Sequence, residues 1–131
     1  MISGFDHVAI TVANIDASIA FYERVLDAKV EETYKVDGKI IVKRVAIGGA
    51  MFNVHQQGNG VDLVATTPLP GSQDLCFRWR GTIDQAKHQL VSNHVEIIEG
   101  PAGRISSDGR EAQSVYFRDP DGNLLELLAV T

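Results

Sequence analysis

The sequence predicts an α+β fold built from two tandem β-α-β-β-β modules, and an internal repeat supports this prediction. Residues 4–10 (GFDHVAI) resemble residues 71–77 (GSQDLCF), and a helical pattern follows each copy. A glycine-led strand pattern then closes each copy, at residues 49–55 and 122–128. Because both ends of the unit recur, we expect one domain with module one at about residues 4–57, a linker at about 58–70 and module two at about 71–131.

Length and composition limit the classes of protein to consider. The 131 residues suffice for one domain with an ordinary core, and 44% of them are hydrophobic. No apolar run approaches the roughly 20 residues of a membrane span, and no secretory signal precedes the first strand pattern, so we expect a cytoplasmic protein without a membrane partner. The net charge of -5 argues against nucleic-acid binding, which requires a basic surface.

The first module begins with a strand, because Val8, Ile10 and Val12 recur with a period of two and leave His7 on the opposite face. Asp16 is the expected N-cap of a helix over about residues 17–27. Asp-Gly and Gly-Gly pairs then separate three further strand patterns. These strands are predicted at about residues 30–34, 39–47 and 50–55.

The second module repeats this order. A strand is predicted at about residues 74–80, and Thr82 is the expected N-cap of the second helix. An extended segment at about residues 95–99 is followed by a Gly- and Pro-containing stretch, residues 100–111, which we expect to form a mobile loop. A strand over 114–118, a type I turn at 119–122 and a last strand complete the module.

The only cysteine, Cys76, is expected to be a small packed side chain rather than a reactive thiol.

Glu126 is a candidate functional residue because of its position on the last strand. It shares a strand face with Leu124 and Leu128, and a carboxylate that points inward among leucines needs a cation or hydrogen-bond partner. The alternative is that Leu125 and Leu127 form the buried face, since a period of two does not tell which side is inside. The repeat pairs Glu126 with Asn53, and it pairs His7 with Asp74. Imidazole and carboxylate together bind Zn, Fe, Ni or Mn.

Three ordered segments resemble the vicinal oxygen chelate superfamily, which includes glyoxalase I, extradiol dioxygenases, fosfomycin-resistance enzymes and bleomycin-binding proteins. They are residues 4–12 (GFDHVAITV), 19–26 (IAFYERVL) and 115–126 (VYFRDPDGNLLE). Residues 52–55 and 68–77 are further similar to the subgroup around glyoxalase-domain-containing protein five. The resemblance implies that the two modules form a cupped, mostly antiparallel sheet, and that strands of both modules bind one divalent metal ion.

The resemblance also implies site residues. His7 and Glu126 match the family's metal ligands, whereas Asp74 stands where metal-dependent members have a second-module histidine or glutamine. Asn53 stands where glyoxalase I has a first-module glutamate. His55 is either a replacement ligand or a pocket-lining histidine. The expected ion is Zn, Ni, Mn or Fe, and the oxygen-rich ligand set favours a harder cation or no bound metal at all.

Two classes of function follow from these residues. The first is a metal-dependent lyase, isomerase or dioxygenase acting on a small oxygenated metabolite, with Glu126 as the base. Its substrate contacts are predicted at Asn53, Tyr116, Arg104 and Arg110, the last two in the expected loop. The second class is a metal-free binding protein of the bleomycin-resistance type, and fosfomycin modification ranks lowest. In each case a small molecule and a second copy of the chain, forming a homodimer, are the expected partners.

Overall fold

A computed structural model describes all 131 residues, which divide into two compact units, residues 1–72 and 73–131. Each unit contains one helix and one four-stranded sheet in the order β-α-β-β-β. The two tandem modules predicted from the repeat are therefore confirmed. No helix is both long and apolar enough to cross a membrane.

The sheet of the first unit is mixed, with one parallel pair of strands and two antiparallel pairs. Its sheet has the order β1-β4-β3-β2, in which β1 runs parallel to β4 and the other pairs are antiparallel. The parallel pair follows from the helical crossover that separates β1 from the later strands. The elements are β1 (Val8–Val12), α1 (Ile15–Leu26), β2 (Lys29–Val36), β3 (Lys39–Ile47) and β4 (Ala50–Gln56).

The second unit has the same topology, with the sheet order β5-β8-β7-β6 and a parallel β5-β8 pair. The expected Thr82 cap is present, since its hydroxyl accepts the Gln85 N–H at 3.2 Å and the Gln85 side chain returns a hydrogen bond. The turn at 119–122 is closed by the Gly122 N–H, which donates to the Asp119 carbonyl at 3.0 Å. The elements are β5 (Asp74–Trp79), α2 (Ile83–Ser92), β6 (Glu99–Ile105), β7 (Glu111–Arg118) and β8 (Leu124–Val130).

The N-cap predicted for the first helix is wrong. Asn14 caps α1, because its side chain accepts the Ala17 N–H at 3.1 Å, and the helix begins at Ile15. Asp16 lies in the first turn instead, where its negative charge still favours the positive end of the helix dipole. The helix ends at Leu26, since Asp27 adopts a left-handed conformation with φ of 53°.

The loop predicted over residues 100–111 is also wrong. Strand β6 runs through its first half, and only residues 106–110 form a turn, in which the Ser106 N–H donates to the Arg110 carbonyl at 2.9 Å. Gly100 signalled a loop but permits a bulge: its φ is 98°, and an added Cβ would lie 2.3 Å from the Ser114 carbonyl oxygen. The pairing register shifts between Glu99 and Ala102, and the proline is tolerated because β6 is an edge strand.

Each sheet packs one face against the helix of its own unit. In the second unit Leu125 and Leu127 are 0% and 2% exposed and lie on the face covered by α2, together with Phe117. Glu126 therefore lies on the opposite face, where it is half-buried. Of the two alternatives for this strand, the second is correct. We call the side of each sheet that its own helix does not cover the open face.

Candidate functional site

The open face of the first sheet contains a cavity of about 400 Å³. It includes three of the residues that the sequence singled out: His7, Asn53 and His55. Because β1, β3 and β4 are adjacent, their alternate residues share this face. The remaining lining residues are Asp6, Tyr34, Ile41, Val42, Arg44, Met51 and Val61.

His7 is oriented by its neighbour in the chain. Its Nδ1 atom lies 2.8 Å from Oδ1 of Asp6, and both side chains are substantially exposed. A carboxylate in this position accepts the Nδ1 hydrogen, which leaves the Nε2 lone pair for a ligand. This pairing of imidazole and carboxylate is the arrangement found behind many metal-binding histidines, and it suits the ligand role predicted for His7.

The side chain of Asn59 contacts the ring of His55. The Asn59 Nδ2 atom lies 3.2 Å from His55 Nδ1, and the same amide group donates to the Ile41 carbonyl at 2.9 Å. The Asn59 side-chain oxygen accepts the Val61 N–H at 2.9 Å. Partial burial lowers the pKa of His55 below its ordinary value, which favours the neutral imidazole.

Arg44 and Tyr34 are cavity residues that the sequence did not reveal. Arg44 is the cross-strand partner of Asn53 and of Glu32, and its Nη2 atom lies 3.7 Å from Glu32 Oε1. The buried Arg44 Nε atom has no hydrogen-bond partner. The Tyr34 hydroxyl donates to the Glu32 carboxylate, and this bond is the main reason that the pKa of Tyr34 is raised. The sequence could have indicated Arg44 through its position on the same strand face as Asn53. That inference requires the pairing register of β3 and β4, which the sequence does not contain.

On the open face of the second sheet, a hydrogen-bond chain ends at Glu126. The Arg104 Nε–H donates to the Tyr116 hydroxyl oxygen at 2.7 Å, and that hydroxyl donates to Glu126 Oε1 at 3.1 Å. The Arg104 guanidinium also lies 5.2 Å from the centroid of the Tyr116 ring. Three residues predicted from the sequence thus form one connected group, with Arg104 on an edge strand instead of a loop.

Cys76 lies beside Glu126, as its cross-strand partner in the parallel β5-β8 pair. The expectation that it packs in the core is wrong: Cys76 is exposed, because it shares the open face and its neighbours Leu75 and Phe77 point the other way. Surrounding protein atoms and then the charge and hydrogen bond of Glu126 raise the pKa of this thiol to about 12. The thiol is therefore protonated at neutral pH.

The two other predicted residues of this unit make no hydrogen bond with Glu126. Asp74 is exposed at the start of β5, two residues from Cys76 on the same strand face, and its charge contributes to the raised pKa of the Cys76 thiol. Arg110 lies at the turn between β6 and β7, where its Nη1 atom is 4.0 Å from Asp108 Oδ2. Arg78 contacts the same aspartate at 3.2 Å, so the turn forms its own group of charges.

The repeat relation between the modules holds at the level of single residues. Ala9 pairs with Asn53 in the first sheet as Cys76 pairs with Glu126 in the second. Asn53 and Glu126 therefore occupy equivalent positions on the open faces of the two sheets. This is the relation that the repeat predicted.

The candidate metal ligands are divided between the units. His7 and His55 belong to the first, and Asp74 and Glu126 belong to the second. No group of three or more His, Cys, Asp or Glu side chains is placed to hold a metal ion. As a set of donors, the His7 imidazole and the two carboxylates fit a divalent cation such as Zn, Mn or Fe. Their convergence on one ion stays a prediction.

The fold agrees with what known proteins show. The sequence matches the Glyoxalase/Bleomycin resistance protein/Dioxygenase superfamily over residues 4–127, and the chain belongs to this family. The two four-stranded sheets and the duplicated module are the vicinal oxygen chelate fold, as the resemblance implied.

Three relatives match almost the whole chain. It is 37% identical over 127 residues to virulence protein STM3117 of Salmonella typhimurium, covering 97% of this chain and 84% of that protein. It is 36% identical to the glyoxalase domain-containing protein RDO1 of Mycosarcoma maydis, covering 96% of this chain and 68% of that protein. The structure of integron cassette protein VCH_CASS1 from V. cholerae, 36% identical, superposes with a TM-score of 0.88 and covers 100% of this chain and 98% of that one.

Two more distant relatives are a metallothiol transferase and a fosfomycin resistance protein. The metallothiol transferase FosB of Shouchella clausii is 26% identical over 97% of this chain and 80% of its own length. The fosfomycin resistance protein FosX of Listeria monocytogenes, crystallised with Mn(II), is 24% identical with a TM-score of 0.67, and covers 100% of this chain and 93% of that one. The likeness to FosX shows the fold alone.

Proposed function

We propose that the protein is a metal-dependent enzyme of glyoxalase type, a lyase, isomerase or dioxygenase that acts on a small oxygenated metabolite. The observation that carries this proposal is the orientation of Glu126 by Tyr116, which Arg104 in turn contacts. A half-buried carboxylate that accepts such a bond is fixed in place on a face that no helix of its unit covers. Fixed polar groups on an open sheet face are typical of ligand sites.

The proposed roles divide between the two open faces. His7 and Glu126 would hold a divalent cation, with Asp74 the next candidate ligand. Such a cation, when bound, would supply a Lewis acid for an oxygen atom of the substrate. Glu126 takes up a proton from the substrate, and Tyr116 keeps its carboxylate directed while it does so.

A homodimer is part of this proposal. Edge strand β2 is exposed along nearly its whole length, with Val36 54% exposed, and Ile105 on edge strand β6 is 66% exposed. Exposed edges and apolar side chains of this kind favour cover by another chain, and a second copy is the natural partner in small proteins of this size.

A metal-free binding protein is the second candidate. The residues that favour it are Asn53, an amide, and Asp74, which stands where metal-dependent relatives have a histidine or glutamine. Fosfomycin modification stays third, because the chain lacks that second-module histidine.

Substitution of Glu126 by glutamine tests the enzyme proposal. Glu126→Gln keeps the shape of the side chain but removes its charge, so we expect it to abolish turnover and weaken metal uptake while the fold is retained. Glu23→Gln, an exposed change on α1, is the matched control and should leave both unchanged. Full activity of Glu126→Gln against any substrate that the wild type converts would exclude Glu126 as the base.

A further inference from the structure

We infer that the cavity on the first sheet recognises a small oxyanion, a carboxylate, phosphonate or phosphate group, through the guanidinium of Arg44 and an N–H donor of His55. This inference rests on the proposed function, because it specifies the class of substrate that the same protein would convert. Neither residue role was indicated by the family resemblance. Each follows from hydrogen bonds within the first unit.

Arg44 has donor capacity that the protein does not use. Its contact with Glu32 is long at 3.7 Å, and the two side chains are 42% and 50% exposed, so this pair neutralises little of its charge. The Nε–H is buried without an acceptor, and the rest of the guanidinium is the part that a bound oxyanion can reach. A guanidinium presents its N–H groups as a planar fork that matches the two oxygens of a carboxylate or phosphonate.

Arg44 stands in a cross-strand row between Glu32 on β2 and Asn53 on β4. Glu32 lies 3.7 Å from the guanidinium, and the Tyr34 hydroxyl donates to the Glu32 carboxylate. Arg44, Asn53 and Tyr34 all line the cavity, so the guanidinium lies at its wall.

The hydrogen bonds of Asn59 decide the tautomer of His55. A main-chain N–H must donate and a main-chain carbonyl must accept, so the bonds to Val61 and Ile41 identify which Asn59 atom is oxygen and which is nitrogen. The amide NH₂ consequently faces His55 Nδ1 at 3.2 Å, and Nδ1 of the neutral ring accepts. The ring hydrogen is then on Nε2, which makes His55 a donor and removes the lone pair that a metal ligand needs.

The two donors are close enough to bind one group. Asn53 is the cross-strand partner of Arg44, and His55 lies two residues further along the same strand. The side chains of Arg44 and His55 therefore both lie on the open face. Such diagonal neighbours are about 7–8 Å apart at Cα, within reach of a long arginine side chain. Val42 and Met51 supply apolar surface beside them. A cavity of about 400 Å³ is at the small end of ligand sites, which favours a short carbon skeleton with one anionic group.

Binding by the chelator-treated full chain tests the inference separately from metal and turnover. Lactate, methylphosphonate and inorganic phosphate are titrated while the Arg44 Nε–H resonance is observed by NMR, with uncharged lactamide as the matched compound. We expect at least one anion to bind and lactamide to bind at least tenfold more weakly. The relative affinities of the three anions distinguish a carboxylate site from a phosphonate or phosphate site.

Variants complete the test. Arg44→Met should weaken anion binding at least tenfold, and Arg44→Lys should weaken it less. Lys43→Met removes a cation from the adjacent position of β3, whose side chain points to the other face, and should leave binding unchanged. Equal binding by wild type and Arg44→Met overturns the inference, as does the lack of binding by every anion.

The histidine tautomer gives a readout that needs no variant. Nitrogen NMR of the wild type should show the hydrogen of His55 on Nε2, and a hydrogen on Nδ1 overturns the donor role. If anions bind but no metal or turnover is found, the oxyanion site stands and the proposed enzyme does not. If metal binds and anions do not, the oxyanion site is excluded and the proposed metalloenzyme stands.

Discussion

Replacement of Glu126 by glutamine should make Cys76 more reactive, and this prediction needs no knowledge of the substrate. In the wild type the pKa of the Cys76 thiol is raised from 9.0 to about 12. Partial desolvation by neighbouring protein atoms is the largest cause, although the residue as a whole is exposed, and the charge of Glu126 and its hydrogen bond with the thiol follow. Only the thiolate reacts with alkylating reagents, so the shift predicts slow modification.

The magnitude follows from the thiolate fraction. At pH 8 a thiol with the ordinary pKa is about 10% ionised, whereas one with a pKa of about 12 is about 0.01% ionised, a ratio near 900. A thiolate of higher pKa is intrinsically more nucleophilic, and over three units this returns a factor of about 15–30. Cys76 should therefore react about 30–60 times more slowly than an unperturbed thiol.

Alkylation by iodoacetamide, followed by mass spectrometry, measures this rate. In Glu126→Gln the charge is removed but the desolvation by neighbouring protein atoms remains, so the pKa should fall only part of the way and the rate should rise several-fold. Glu23→Gln is the control for loss of one negative charge at a distance. If wild-type Cys76 reacts at pH 8 as fast as a free cysteine peptide, the raised pKa is refuted, and equal rates in wild type and Glu126→Gln would contradict the effect of Glu126 on the thiol.

Three further predictions concern the fold and its assembly. Thr82→Ala removes the capping box of α2 and should lower the free energy of unfolding by about 1 kcal/mol, measured by urea denaturation, whereas no loss would contradict the capping role. Gly100→Ala should cost more, because its φ of 98° is unfavourable for alanine and the new Cβ would lie 2.3 Å from the Ser114 oxygen; wild-type stability would contradict the bulge. Sedimentation equilibrium at micromolar concentration should give about twice the 14.3 kDa chain mass, and a constant mass near 14.3 kDa would exclude the homodimer.

The sequence predicted the fold well where local signals were strong. The Gly-Gly and Asp-Gly pairs bounded β3 correctly at Lys39–Ile47, and Thr82 marked the start of α2. It failed where two local signals competed, as for Asn14 and Asp16. It also failed at residues 100–105, whose Gly and Pro residues are accommodated by a bulged edge strand. That arrangement depends on pairing with β7, which no local pattern contains.

The candidate site was predictable only in part, for a related reason. The repeat identified Asn53 and Glu126 as equivalent positions, and the pairing of β1 with β4 and of β5 with β8 confirms that equivalence. Periodicity alone did not determine which side of the last strand is buried. The helix α2 determines it, because it covers Leu125 and Leu127. Arg44 was missed because only its register with Asn53 places it on the cavity face.

Metal content is the measurement that tests the proposed function most directly. Protein purified without a histidine tag or chelator, then saturated with Zn, Mn, Fe or Ni and dialysed, should retain a divalent ion in stoichiometric amount. His7→Ala, which removes a donor of the first unit, and Glu126→Gln, which removes the charge of a donor of the second, should each retain less metal, whereas Glu23→Gln should retain as much as the wild type. Wild-type protein that retains none of these ions, or variants that bind as well as wild type, would contradict the metalloenzyme and favour a binding protein.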